Sequence, residues 1–157
     1  FRSKLVKLFW MLLLIGSGVW AESLRAATFI VSSTSNAGPG SLRQAIIEAN
    51  NSPGLDTISF SILGLPPFLI QIEGAFPAIT DPVRIDGRTQ PGFVSLPLIE
   101  INGQGQGPID GFAIKSGQSE IRGLAITGFG GYAIRLETGG GNLVQGNQRS
   151  SSCAFYA

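Results

Sequence analysis

The middle of the chain repeats one short pattern, and that repetition constrains the fold more than any other feature. From Asp81 to Asn147, β-type runs alternate with glycine or asparagine punctuation. The runs are Val83-Arg84-Ile85-Asp86-Gly87, Leu98-Ile99-Glu100-Ile101-Asn102-Gly103, Gly111-Phe112-Ala113-Ile114, Ile121-Arg122-Gly123-Leu124-Ala125-Ile126, Tyr132-Ala133-Ile134-Arg135-Leu136 and Asn142-Leu143-Val144-Gln145-Gly146-Asn147. Such units cannot bury an apolar face alone, so they stack into a solenoid. Ile121-Arg122-Gly123 matches Val144-Gln145-Gly146 at an offset of 23, and Phe112-Ala113-Ile114 matches Tyr132-Ala133-Ile134 at 20. Val83 to Gly87 matches Ile99 to Gly103 more loosely, at 16. Coils of about 20 to 23 residues with more than one strand each predict a parallel β-helix. The Leu-x-x-Leu-x-Leu frame of leucine-rich repeats, which share the period, is absent.

The segment before the repeat supplies a lid for such a stack. Thr28 to Val31 is β-rich, and Asn36-Ala37-Gly38-Pro39-Gly40 is a turn cluster. Ser41 with Gln44 three residues on predicts a capping box. Leu42, Ala45, Ile46 and Ala49 then share one helix face, and Asn50-Asn51-Ser52-Pro53-Gly54 ends the helix. A solenoid exposes apolar core at its ends, so a helix over residues 41 to 51 is expected to cap it. Asp56 to Ile62 and Phe68 to Ile72 alternate with period two and read as the first strands, with Leu65-Pro66-Pro67 between them.

Composition narrows the class. Glycine, at 22 of 157 residues, is about twice its usual share of ~7%, and charged residues, at 13%, are about half theirs. That balance, with ample Ile, Leu, Val and Phe, indicates a packed, turn-rich β protein. After Ala21 there are 8 basic and 10 acidic residues, a slightly acidic body with no electrostatic footprint for nucleic acid. The chain has no histidine, which excludes imidazole triads and His-ligated metals within it. Its one cysteine, Cys153, cannot staple its own chain.

The N-terminus reads as an export signal over residues 1–21. Arg2, Lys4 and Lys7 precede an apolar run from Leu8 to Val19, and Val19-Trp20-Ala21 offers a cleavage site, with Ala26 or Ala27 as a second option. The run is shorter than the ~20 residues of a spanning helix, so the membrane enters only through the export signal. Residues 27–62 form the expected cap and first strands, 63–147 the coils, and 148–157 an irregular tail. Because the alternation lapses there without a closing cap, the sequence is expected to be the N-terminal piece of a longer protein; a genuine short chain is the other reading. A third reading is a fragment whose open end keeps it from folding alone.

These residues resemble a known family. Thr28-Phe29-Ile30-Val31, Gly38-Pro39-Gly40-Ser41-Leu42-Arg43-Gln44-Ala45-Ile46, Asn50, Pro53-Gly54 and Asp56-Thr57-Ile58-Ser59-Phe60 look like the N-terminal cap of exported right-handed parallel β-helix proteins. Ser-Leu-Arg-Gln-Ala-Ile is similar to that family's Ser-Leu-Arg-Glu-Ala-Ile motif. Ile85-Asp86-Gly87, Gln90-Pro91-Gly92 and Gly141-Asn142-Leu143-Val144-Gln145-Gly146-Asn147 continue the likeness over about Ala27 to Asn147. The resemblance implies an all-β, pectate-lyase-like right-handed parallel β-helix with one N-terminal capping α-helix. It also implies a secreted or surface-anchored bacterial-type protein, adhesin-like in many members, with relatives of the fold that cleave or epimerise acidic polysaccharides.

Chemistry on such a scaffold would come from outward charges. Strand alternation turns Val83 and Ile85 inward and Arg84 and Asp86 outward, and sets Glu100 outward between Ile99 and Ile101. Arg84, Asp86, Glu100 and Arg122 are therefore the candidate residues, with Asp110 beside them. Hydrolases use two carboxylates, whereas lyases hold Ca²⁺ on acids and remove a proton with a basic residue. No pair sits in a recognisable catalytic motif, and outward charges on a solvated sheet are ordinary. Asp86-Gly87 and Asn102-Gly103 are turn dipeptides, and Asn102, Asn142 and Asn147 are expected at corners, where stacked asparagines form ladders. Gly128-Phe129-Gly130-Gly131 and Gly139-Gly140-Gly141 lack the Lys-Ser/Thr of a phosphate loop. Phe112 and Tyr132 are expected to hold equivalent core positions, and Phe93 to be the better exposed stacking residue. Asn50-Asn51-Ser52 is a glycosylation sequon.

Two functions fit this pattern. The first is a secreted or cell-surface structural and binding module that takes polysaccharide or surface proteins as partners and needs no cofactor. The alternative is part of a polysaccharide lyase or related glycan enzyme, the only case in which Ca²⁺ enters. An outward acidic cluster beside Arg or Lys on adjacent coils favours the enzyme.

Overall fold

The computed structural model describes residues 25–150 and 154–156; the expected export signal and Cys153 lie outside the described residues. The described chain runs β1 (Thr28–Val31), α1 (Leu42–Asn50), β2 (Asp56–Phe60), β3 (Phe68–Gln71), β4 (Val83–Asp86), a 3-10 turn (Gly87–Thr89), β5 (Ile99–Asn102), β6 (Phe112–Ile114), β7 (Glu120–Arg122), β8 (Leu124–Thr127), β9 (Tyr132–Leu136), β10 (Leu143–Gln145), β11 (Gln148–Arg149) and β12 (Ala154–Tyr156). Three sheets form, ordered β1-β2-β4-β7-β10, β11-β8-β5-β3 and β12-β9-β6. Every strand pair among them is parallel. From β4 onward each coil contributes one strand to each face, while the earlier coils give β1 and β2 to the first sheet and β3 to the second; the result is a parallel β-solenoid of about five turns.

Alternation builds the core. Ile58, Ile85 and Ile121 stand in register across three coils of the first sheet. Ile70, Ile101 and Ile126 do the same in the second. All six are fully buried. Burying each isoleucine contributes about 1.5–3 kcal/mol, so the stacked columns supply the main driving force between coils.

The one α-helix among the described residues lies at the β1 end. Leu42, Ala45, Ile46 and Ala49 enter the same apolar cluster as the coils. Ser41 Oγ accepts from Gln44 N at 3.2 Å. The other half of the expected capping box is not made: Gln44 Nε2 donates to Glu48 Oε1 at 2.9 Å, and Ser41 N bonds Gly38 O at 3.1 Å. Arg43 explains the rest of the motif. Its guanidinium donates to the carbonyls of Asn36 (3.2 Å), Ala75 (2.6 Å) and Gly74 (2.8 Å), and lies 5.1 Å from the Phe76 ring centre. One planar fork thus joins the helix to the turn before it and to the coil beyond it.

Three expectations need correction. The offset of 23 is right, since Ile121 pairs with Val144, but Phe112 pairs with Ile134, an offset of 22, rather than with Tyr132. Phe112 is buried and stacks 5.4 Å from Phe76, whereas Tyr132 is half-buried against Tyr156. The looser match of Val83–Gly87 to Ile99–Gly103 joins strands of different sheets. The tail is not wholly irregular, because β11 and β12 extend two of the sheets. Strands of two or three residues are too short to show alternation.

Candidate functional site

Of the five charged candidates, Arg84, Asp86, Glu100, Asp110 and Arg122, the structure gathers three. In β4 and β7, Arg84 stands opposite Glu120 and Asp86 opposite Arg122. Parallel register therefore sets opposite charges face to face on neighbouring coils. Arg84 Nε lies 2.6 Å from Glu120 Oε2, and Glu120 Oε1 bonds Arg122. Arg122 also reaches Asp86 Oδ2 at 2.8 Å. Arg88, from the 3-10 turn that follows β4, places its Nε 3.0 Å from Asp86 Oδ1. The result is an alternating chain, Arg84–Glu120–Arg122–Asp86–Arg88.

Asp86 anchors it. Besides the two guanidiniums, its Oδ1 accepts from Arg88 N at 3.1 Å, which caps the turn. Asp86 and Glu120 are buried beneath the arginines, not freely solvated as outward alternation predicts. Burial pushes the Asp86 carboxyl up, but hydrogen bonds from Arg88 and Arg122, with the Arg122 charge, outweigh it and hold the group below the usual carboxylate range. The Arg88 guanidinium is pushed up in turn, mainly by its bond to Asp86. Both ionic forms are thereby reinforced.

All four carboxylate oxygens of the cluster are engaged by guanidinium groups. Three arginines against two acids leave one net positive charge on this face. The Arg84 and Arg88 side chains keep 41% and 40% of their surface exposed, so these guanidiniums can still meet an anion from solution.

The other candidates lie apart. Glu100, on β5 in the second sheet, accepts from Thr127 Oγ1 at 2.7 Å and Asn102 Nδ2 at 3.4 Å. Asp110 pairs with Arg135 at 2.9 Å and accepts from Tyr132 N at 2.7 Å. Glu120 and Arg88 were missed by sequence reasoning. Glu120 is legible as the outward residue before Ile121, two positions from Arg122. Arg88 follows the strand, where alternation gives no direction.

Asn142 and Asn147 bond backbone of the preceding coil, and Asn102 bonds its own turn and a side chain of the next coil, instead of the three stacking on one another. Asn147 accepts from Leu124 N at 3.0 Å and donates to Ile121 O at 2.7 Å, while Asn142 accepts from Ser119 N at 2.8 Å. Asn102 accepts from Gln104 N at 2.8 Å and donates to Thr127 Oγ1 at 3.1 Å. Asn50, the acceptor of the sequon, donates to Ala78 O at 2.8 Å and accepts from Thr80 N at 2.9 Å, so its amide is committed to the next coil. Phe93 is only half-buried in its loop. A hollow of about 370 Å³ is lined by residues 136–142, none of them an arginine, and its Glu137 pairs with Lys115 at 3.3 Å.

Among the described residues, no group of three or more His, Cys, Asp or Glu comes together to hold a metal ion, and no helix is long and apolar enough to cross a membrane. No family model matches the chain, and no curated protein matches it either.

Proposed function

We propose that this β-solenoid is a module of a secreted or cell-surface protein and binds acidic polysaccharide along the β4–β7 face without cleaving it. One observation carries the reading. The exposed guanidiniums of Arg84 and Arg88 flank carboxylates that are already fully engaged, on a face with one surplus positive charge. Guanidinium forks suit the carboxylates of uronic-acid chains. A stack of coils repeats its spacing along one axis, which suits a linear repeating polymer. The apolar run from Leu8 to Val19 behind basic residues supports export. The pectate-lyase-like type and the family's cap are part of this proposal, supported by the Ser41–Ile46 motif and by the bonds that Arg43 makes.

The lyase reading has an observation of its own: acids and arginines do meet on adjacent coils. Two features weigh against it. A base must be able to lose its proton, and pairing with Asp86 holds the Arg88 guanidinium more firmly charged. Each oxygen of the two acids, in turn, already faces a guanidinium, and the positive charges beside them oppose a Ca²⁺ ion.

Co-sedimentation with polygalacturonate tests the binding. An Arg84→Ala/Arg88→Ala chain is expected to bind about tenfold more weakly, a loss of about 1.4 kcal/mol. Unchanged binding in that variant would remove the face from the account.

A further inference from the structure

Asp56 is a fully buried carboxylate at the start of β2. Its Oδ1 accepts from Ala27 N at 2.6 Å. Its Oδ2 is buried and accepts no hydrogen bond among the described residues. A half-satisfied buried carboxylate is costly, because an amide has only one hydrogen to give. Ala27 is also where the ladder begins: Ala27 O accepts from Thr57 N at 2.8 Å, while Arg25 and Ala26 before it are exposed.

An ammonium in place of that amide would resolve the deficit. It carries three N–H donors and a positive charge, enough for both oxygens of Asp56. We infer that the chain is cut between Ala26 and Ala27 during export, and that the new α-ammonium of Ala27 forms a buried ion pair with Asp56. The step is hydrolysis by a leader peptidase of the exporting cell. Water adds across the Ala26–Ala27 peptide bond, leaving the carboxylate on Ala26 and the ammonium on Ala27. Ala26 supplies the small residue directly before the cut, with Leu24 at the other position of the A-x-A-like pattern. The inference rests on the export reading and places the cut five residues beyond Ala21.

The test uses residues 1–157 expressed behind an initiating Met in an exporting bacterium, with terminal sequencing and intact mass of the product. A start at Ala27 is expected. An exported product that starts at Glu22 overturns this inference and leaves the export reading standing; an uncut chain retained in the cytoplasm overturns both. A second readout tests the ion pair. A chain that starts at Ala27 has two kinds of amine only, its terminus and Lys115. Brief acylation at neutral pH is compared between folded and urea-unfolded protein, with a small free amine added as the reference because Lys115 itself pairs with Glu137 in the fold. Pairing with Asp56 predicts that folding slows acylation of Ala27 about tenfold relative to that amine. Equal relative rates in the two states would overturn the pair.

Discussion

Arg122 and Asp86 stand directly opposite each other on neighbouring coils, with Arg122 2.8 Å from Asp86 Oδ2. The same guanidinium bonds Glu120 on its own strand, so one side chain joins two acids from two coils. Coil stacking and the charge pattern of the face therefore depend on each other.

That dependence gives a pH signature. The Asp86 carboxyl is held below its unfolded value, so its contribution to stability is fully present above the ordinary carboxylate range. It is lost as pH falls through the folded value, below about pH 4. Urea midpoints measured between neutral and acid pH are expected to drop in that window. Asp86→Asn should flatten the drop. An equally steep drop in the variant would assign the acid sensitivity to other groups.

Arg43→Lys should destabilise the chain by about 2 kcal/mol. An ammonium cannot reproduce a planar fork that reaches three carbonyls and lies over Phe76. Urea denaturation checks the size of the loss, and a change within about 0.5 kcal/mol would reduce Arg43 to an ordinary surface residue.

Gly87→Ala should cost about 3 kcal/mol, because a Cβ there meets the carbonyl of Gly123 in the next coil and the Leu124 side chain. Gly140→Ala is the control. A Cβ at Gly140 meets nothing within 4 Å, so its effect should stay within about 0.5 kcal/mol. Thermal or urea unfolding of the two variants separates close packing from glycine content as such.

Much of this architecture is legible in the residues. The inward Ile85, Ile101 and Ile121 follow from period-two alternation, and the helix follows from Ser41 and its four apolar positions. What escapes sequence is the path between strands. Coil length is not fixed: Ile85 pairs with Ile58 before it and Ile121 after it, at offsets of 27 and 36. Loops of unequal length absorb the difference, so an offset search succeeds only in the later, more regular coils. The candidate site was half legible for the same reason. Arg84, Asp86 and Arg122 were found from alternation, but their meeting depends on register between distant strands. Gly87 read as a turn residue, and only the neighbouring coil shows that close approach, not the turn, excludes a side chain.

The most direct test of the central claim is incubation of the protein with polygalacturonate and Ca²⁺, measuring polymer-bound protein and unsaturated uronate together. A binding face whose acids are all engaged predicts salt-sensitive co-sedimentation that weakens in Arg84→Ala/Arg88→Ala, with no unsaturated product. Time-dependent release of unsaturated uronate, abolished in the same variant, would contradict the account and make the β4–β7 face a catalytic site.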